Sequence, residues 1–195
     1  MTVEDVSDLR KQGRVEDAYD ASRSLYAVDK SKDATICMLL TAVDMQRRFL
    51  SDGRAEEAEK IALALQRLAV NAPIAEHTLL GLWGEELAVD YLSNKGYIIL
   101  ERDWHSTHKD IDIIVRKGDL TVFVEVKARR NDMFINPAEA VNWKKQQNLR
   151  RAINHYIHYR KIDGPIRFDV ITIVGTLGST NPEIEHIEDF ALSMR

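Results

Sequence analysis

Asp110-Ile111-Asp112-Ile113-Ile114-Val115-Arg116, then Lys117-Gly118-Asp119, then Leu120-Thr121-Val122-Phe123-Val124-Glu125-Val126-Lys127 is the stretch that decides how this chain is read. Both flanks are rich in β-branched and aromatic residues, and the tripeptide between them carries a turn glycine, so the segment predicts a β-hairpin. A strand has period two, so Glu125 and Lys127 project from one face, about 7 Å apart along the chain. A hairpin brings Asp112 beside them. Two carboxylates can share a hard cation, and a neighbouring ammonium can stabilise an oxyanion or position a water. That grouping suits metal-dependent cleavage of a phosphodiester. On an exposed strand the same Glu-x-Lys pattern would be a surface ion pair of little energetic weight.

Outward from the hairpin, the pattern extends in both directions. A helix is expected from about Glu76 to Lys95, ended by Gly96 as a C′ glycine. Strands are expected over Tyr97–Arg102, Arg167–Val174 and Glu183–Ile187. A long helix should begin after Asn136, where Asn136-Pro137-Ala138-Glu139 supplies an N-cap, a proline at N1 and a glutamate at N3. It should end at about Lys161, before Asp163-Gly164-Pro165. The order α-β-β-β-α-β-β over residues 76–195 predicts one mixed sheet flanked by helices, an α/β domain.

Residues 1–72 follow a different pattern and read as helix throughout. Gly13-Arg14-Val15-Glu16-Asp17-Ala18 and Gly53-Arg54-Ala55-Glu56-Glu57-Ala58 echo each other forty residues apart. Helices are expected near 3–12, 14–28, 33–51 and 54–70, with Gly13 and Gly53 turning two hairpins. Small residues (Ala18, Ala21; Ala58, Ala62) recur where close helix packing needs them. This half resembles tetratricopeptide-type helical hairpins. Its two readings are a docking surface for a protein partner or second copy, and a cap over the other domain. Asn71-Ala72-Pro73 marks the change of pattern.

With 195 residues, 45% hydrophobic and 30% charged, the chain is long enough for two folded units and is not compositionally disordered. It holds no apolar run of membrane-spanning length, and its first residues lack signal-peptide character. The single cysteine, Cys37, falls in an apolar helical pattern and suits a small buried hydrophobe in a reduced, cytoplasmic setting. The formal charge of −4 conceals an asymmetry: nine basic residues between Lys127 and Lys161 face only Asp132 and Glu139. Local sign governs polyanion binding, so nucleic acid stays open as a partner.

Gly81-Leu82-Trp83-Gly84-Glu85-Glu86-Leu87-Ala88 opens the second half. Two glycines inside a helix suggest tight packing that would aim a glutamate at the strand carboxylates, and the apolar positions leave Glu85 and Glu86 open. On the long helix, Lys144, Asn148, Arg151, His155 and His158 form a polar stripe, and Leu149, Ala152, Ile153, Tyr156 and Ile157 an apolar one. Lys145 falls in the inward row with Gln146 beside it, placed to reach a phosphate or to snorkel. Lys144, Arg150 and Arg151 are placed to follow a nucleic-acid backbone. His105-Ser106-Thr107-His108 lacks the third ligand that zinc requires and reads as a surface loop.

Gly81-x-x-Gly-Glu-x-x-Ala88, Gly96-Tyr97-x-Ile-Leu100, Ile111-Asp112-Ile-Ile114, Val122-Phe-Val-Glu-Val-Lys127, Glu139-Ala-Val141, Lys145-Gln146 and Arg167-Phe-Asp-Val170 resemble the YraN-type family in unbroken order across residues 78–192. That uncharacterised bacterial family is placed with the PD-(D/E)XK nucleases and is close in pattern to archaeal Holliday-junction resolvases. The resemblance implies a restriction-endonuclease-like fold and Mg²⁺- or Mn²⁺-dependent cleavage of DNA, branched or single-stranded substrates included. It selects Glu85 as the helical carboxylate. Under it, Asp112, Glu125 and the Val126 carbonyl hold the metal, Glu85 assists, and Lys127 positions the attacking water. Lys145 and Gln146 reach the scissile region, and Lys144, Arg150 and Arg151 hold flanking phosphates. A homodimer is the resolvase-like expectation. The chain departs from the pattern at Ile111, where the superfamily has proline, at Asp110 in place of glutamate, and at His105 in place of a basic residue. The rival functions are a non-catalytic nucleic-acid-binding module and a protein-interaction adaptor acting through the N-terminal helices.

Overall fold

The computed structural model describes residues 1–106, 109–131 and 143–191. Its elements are α1 (Val3–Lys11), α2 (Val15–Val28), α3 (Lys32–Ser51), α4 (Ala55–Asn71), α5 (Glu76–Asn94), β1 (Ile98–Ser106), β2 (Lys109–Lys117), β3 (Leu120–Arg129), α6 (Trp143–Arg160), β4 (Ile166–Val174) and β5 (Glu183–Ile187). The fold is α/β, with helices preceding a five-stranded mixed sheet. Strand β1 runs four residues past the end expected at Arg102, because Arg102, Trp104 and His105 pair with Ile113, Ile111 and Asp110. The expected helix start at Asn136-Pro137 lies outside the described residues.

The chain divides by packing into two compact units, 1–86 with 175–182 and 87–174 with 183–195. The division falls inside α5, whereas the change of sequence pattern falls at Asn71-Ala72-Pro73. In the first unit, Gly13 and Gly53 both take φ +73° and end their helices alike. The Arg14 N–H donates to the Leu9 carbonyl, and the Arg54 N–H to the Phe49 carbonyl. The echo at Gly13 and Gly53 is therefore one turn built twice. Val6, Ala18, Ala21, Leu25, Ala34 and Cys37 form a common core. Burial pushes the Cys37 thiol pKa up, which leaves it the inert residue its apolar setting suggested.

The connector 175–182 closes against α3 and α4. Gln46 Nε2 donates to the carbonyls of Gly178 (2.7 Å) and Ala58 (3.3 Å). Gly178 has φ +79°, and a Cβ there would lie 3.0 Å from both the Ala62 Cα and carbonyl oxygen. Gly81 behaves otherwise: among the described residues, a Cβ there would meet nothing within 4 Å.

In the second unit the sheet order is β1-β2-β3-β4-β5. Neighbours are antiparallel except β3 and β4, which run parallel from Thr121↔Ile166 to Arg129↔Val174. A parallel pair requires a crossover, and α6 lies within it. Its apolar stripe, Leu149, Ala152, Ile153 and Tyr156, packs on Ile111, Ile114, Phe123, Phe168 and Val170. Asp169, fully buried, ties β4 to β5: it accepts from Arg167 Nε and Nη2 (both 2.8 Å), the Asp189 N–H (3.0 Å) and His186 Nε2 (2.8 Å). Arg167 also donates to the Tyr97 hydroxyl at 2.8 Å.

Gly178→Ala should lower stability by about 2 kcal/mol or more, from backbone strain and the Ala62 contact together, read as a drop in the urea midpoint. Burial alone would push the Asp169 carboxyl up, but the bonds from His186, Arg167 and the Asp189 N–H hold it below its ordinary 3.8. A depressed folded pKa contributes stability above the unfolded value and loses it as pH falls through the folded one. Asp169→Asn should therefore cost about 3 kcal/mol at pH 7 and much less at the acid end of the transition, measured by urea unfolding across that range.

Candidate active site

The hairpin that carries the candidate residues is a two-residue turn. Lys117 pairs with Leu120, and Gly118 takes φ +59° at the first loop position, as a type II′ turn requires. The turn sets the register from Lys117↔Leu120 to Ile113↔Val124, and Asp112 and Glu125 are the next residues of their strands beyond that last pair. Asp112 Oδ2 accepts the Val126 N–H at 2.7 Å, which anchors the β2 carboxylate to the β3 backbone. By alternation Glu125 shares a face with Phe123, and across the parallel pair it stands opposite Val170. Both neighbours belong to the core under α6, and Glu125 is only 1% exposed.

Burying a carboxylate is costly unless it is paired. The Lys127 ammonium supplies the pair. It is bonded to Glu125 Oε1 and donates to the Val126 carbonyl at 3.3 Å, with its side chain 18% exposed. The Glu125 carboxylate and the Val126 carbonyl thus converge on one positive centre. The pair is buried, which separates it from the surface ion pair that the same residues would form on an exposed strand.

The remaining predicted residues distribute unevenly. Glu85 lies half-buried on α5, in the first packing unit, while Asp112, Glu125 and Lys127 lie in the second. Its neighbour Glu86 has a separate task. It is 3% exposed and paired with Arg10 at 2.9 Å and Arg47 at 3.5 Å, and both arginines also hold Asp44. Gln146 is buried on α6, Arg150 is half-buried, and Arg151 is exposed. Lys144 and Lys145 fall within α6, but their side chains lie outside the described residues, as do Thr107 and His108. His105 is exposed, and Asp110 at 2.7 Å and Asp103 at 3.4 Å raise its pKa. Among the described residues, no three His, Cys, Asp or Glu side chains are grouped to hold a metal.

One contact near the hairpin had no signal in the sequence. Trp104 of β1 meets His155 and Tyr156 of α6, with ring centroids 5.5 Å and 5.2 Å apart. The partners are half a hundred positions apart, so no local period could have linked them.

Comparison with known proteins bears on the half that holds this site. Residues 84–173 match the profile of the uncharacterised protein family UPF0102. A UPF0102 protein of Bacteroides thetaiotaomicron is 43% identical over 116 residues, which are 60% of this chain and 94% of that protein. The chain belongs to the UPF0102 (YraN) family. UPF0102 proteins of Thermodesulfovibrio yellowstonii and Syntrophomonas wolfei are 44% identical over 110 residues and 46% identical over 109. Each alignment covers 93% of the relative and little more than half of this chain (56% and 55%). The family profile spans the β1–β4 region that carries Asp112, Glu125 and Lys127, whereas α1 to α4 precede it.

Removing the ammonium alone would strand the Glu125 carboxylate in the core. Lys127→Met should cost about 3 kcal/mol at pH 7, and Lys127→Met with Glu125→Gln should recover most of that loss. A double-mutant cycle by urea denaturation measures the coupling.

Proposed function

We propose that this chain is a metal-dependent endonuclease that hydrolyses DNA phosphodiester bonds, with its reacting centre at Asp112, Glu125, Val126 and Lys127. The observation that carries the reading is the convergence of Glu125 Oε1 and the Val126 carbonyl on the Lys127 ammonium, beside a backbone-anchored Asp112. The oxygens of two carboxylates and one carbonyl are a hard donor set that would suit Mg²⁺ or Mn²⁺. Asp112, Glu125 and the Val126 carbonyl would hold the ion. When bound, it supplies Lewis acidity toward the phosphoryl oxygen and lowers the pKa of a water ligand.

The protein groups have distinct tasks. Lys127, held between Glu125 and the Val126 carbonyl, is poised to donate to a non-bridging phosphate oxygen or to orient the attacking water. The Val126 N–H fixes the Asp112 carboxylate in one orientation, so no rotamer search precedes reaction. Glu85 is assigned an assisting role through water. Gln146 and Lys145 are assigned to the scissile region, and Lys144, Arg150 and Arg151 to flanking phosphates. For the helices before the family region we propose a role in docking a protein partner or a second copy of the chain. What supports it is that the family profile begins at residue 84, beyond α1 to α4.

In Mn²⁺, the purified protein should cut labelled DNA from a panel of single-stranded, duplex, flap and four-way-junction substrates, and EDTA should abolish cutting. Asp112→Asn should reduce the rate by about 100-fold or more while DNA binding persists. Mn²⁺ should also raise the melting temperature of the wild type and leave that of Asp112→Asn nearly unchanged. Cleavage retained by the purified Asp112→Asn protein would sink the assignment.

A further inference from the structure

The first unit holds a cavity of about 530 Å³ where the ends of α2 and α4 meet α3. Tyr26, Met38 and Leu68 line it with apolar surface, and Lys30, Arg67 and Asn71 are its exposed polar groups. The Lys30 ammonium stands 3.6 Å from the centroid of the Tyr26 ring, which holds that charge at the cavity. Arg67 pairs with no carboxylate among the described residues. Its carbonyl accepts from Asn71 Nδ2 at 2.8 Å, so the Asn71 amide is fixed beside it.

No acid lines the cavity. Asp29, next to Lys30 in sequence, is engaged by Ser31, whose N–H and hydroxyl donate to it at 2.8 Å and 3.0 Å. Asp33 lines a separate cavity with Val3 and Arg10. From Lys60 to Ala75 the chain contains no Asp or Glu. The C-terminal ends of α2 and α4 contribute about half a negative charge each, and the N-terminus of α3 about half a positive one, so two whole cations outweigh the helix ends. The Tyr26 hydroxyl is also buried without a hydrogen-bond partner among the described residues. Folding rarely leaves a buried hydroxyl in that state.

We propose that this cavity binds a small organic acid, a carboxylate carried on an apolar chain. Arg67 and Lys30 hold the carboxylate, the chain lies on Met38 and Leu68, and the Tyr26 hydroxyl gains the acceptor it lacks. A guanidinium matches a carboxylate with two parallel donors, which fixes orientation as well as charge. The volume falls within the range of about 300–1,000 Å³ typical of small-molecule sites, and apolar walls with a few polar groups are their usual lining. All the lining residues belong to the first unit, so the proposal stands apart from the nuclease reading.

Isothermal titration calorimetry of the full chain with decanoate tests it. Binding should saturate, and decanol and decylamine should bind at least about tenfold more weakly. Arg67→Gln and Lys30→Met, both at exposed positions, should each weaken decanoate about tenfold and leave decanol unchanged. Ala64→Trp keeps both cations but fills the cavity wall, and should abolish decanoate binding. Tyr26→Phe should weaken decanoate several-fold yet raise the melting temperature of the free protein, because it removes an unsatisfied buried group. Melting temperatures of the other variants confirm that they fold. Decanoate binding that survives Arg67→Gln combined with Lys30→Met, or that decanol equals, would overturn the proposal. So would the absence of any decanoate binding. A short peptide ending in leucine, as free acid and as amide, forms the second arm. Binding of the free-acid peptide alone, with decanoate inert, would overturn the small acid and assign the cavity to a chain terminus.

Discussion

One parallel strand pair governs the second unit. Strands β1, β2 and β3 follow each other through a meander, but β4 pairs with β3 in the same direction. That pairing cannot be closed by a short turn, so the chain must travel the length of the sheet between the two strands. α6 lies in that path, and its apolar stripe finds its partner in Phe123, Phe168 and Val170 on the paired strands. The same pairing places Glu125 opposite Val170, deep enough that its carboxylate must be neutralised within the structure. Topology, core and candidate site thus follow from a single constraint.

Glu125 and Lys127 form a partly buried ion pair whose worth to stability is small. A hydrophobic pair of similar volume at those positions would fold at least as well. The pair persists as an ammonium locked to a carboxylate and a carbonyl, with Asp112 held alongside by the Val126 N–H. These oxygen donors, drawn from two strands of one hairpin, are a local conflict with folding, which is the ground on which the candidate site was proposed. Asp169 forms the contrasting case. It is equally buried, yet both its oxygens are consumed by Arg167, His186 and the Asp189 N–H, so its charge serves to fasten β4 to β5.

The first unit spends its buried charge on structure. Arg10, Arg47, Asp44 and Glu86 bring α1, α3 and α5 into one alternating network. Adjacent glutamates on α5 therefore diverge: Glu86 is buried and committed to two arginines, and Glu85 is half-buried. Helical geometry turns neighbouring residues by about 100°, which is why two identical side chains one step apart meet different surroundings.

Local grammar made much of this protein legible in its sequence. Helix boundaries from α1 to α5 follow from periodicity and from glycines at Gly13, Gly53 and Gly96, because capping is a matter of a few consecutive residues. The β2–β3 hairpin followed from Gly118 and two β-branched runs, and with it the meeting of Asp112, Glu125 and Lys127, since a two-residue turn dictates register. Tertiary structure decided what depends on distant partners. Whether the Glu-x-Lys pair is exposed or buried depends on α6 and β4 covering that face of β3. The task of Glu86 depends on arginines more than thirty and seventy positions away. The close fit at Gly178 and the open space at Gly81 depend on which backbone approaches, a fact no local pattern encodes. The contact of Trp104 with His155 likewise arises from packing a strand against a helix of remote sequence. Periodicity reports the direction in which a side chain points, and only the packed fold determines what it meets there.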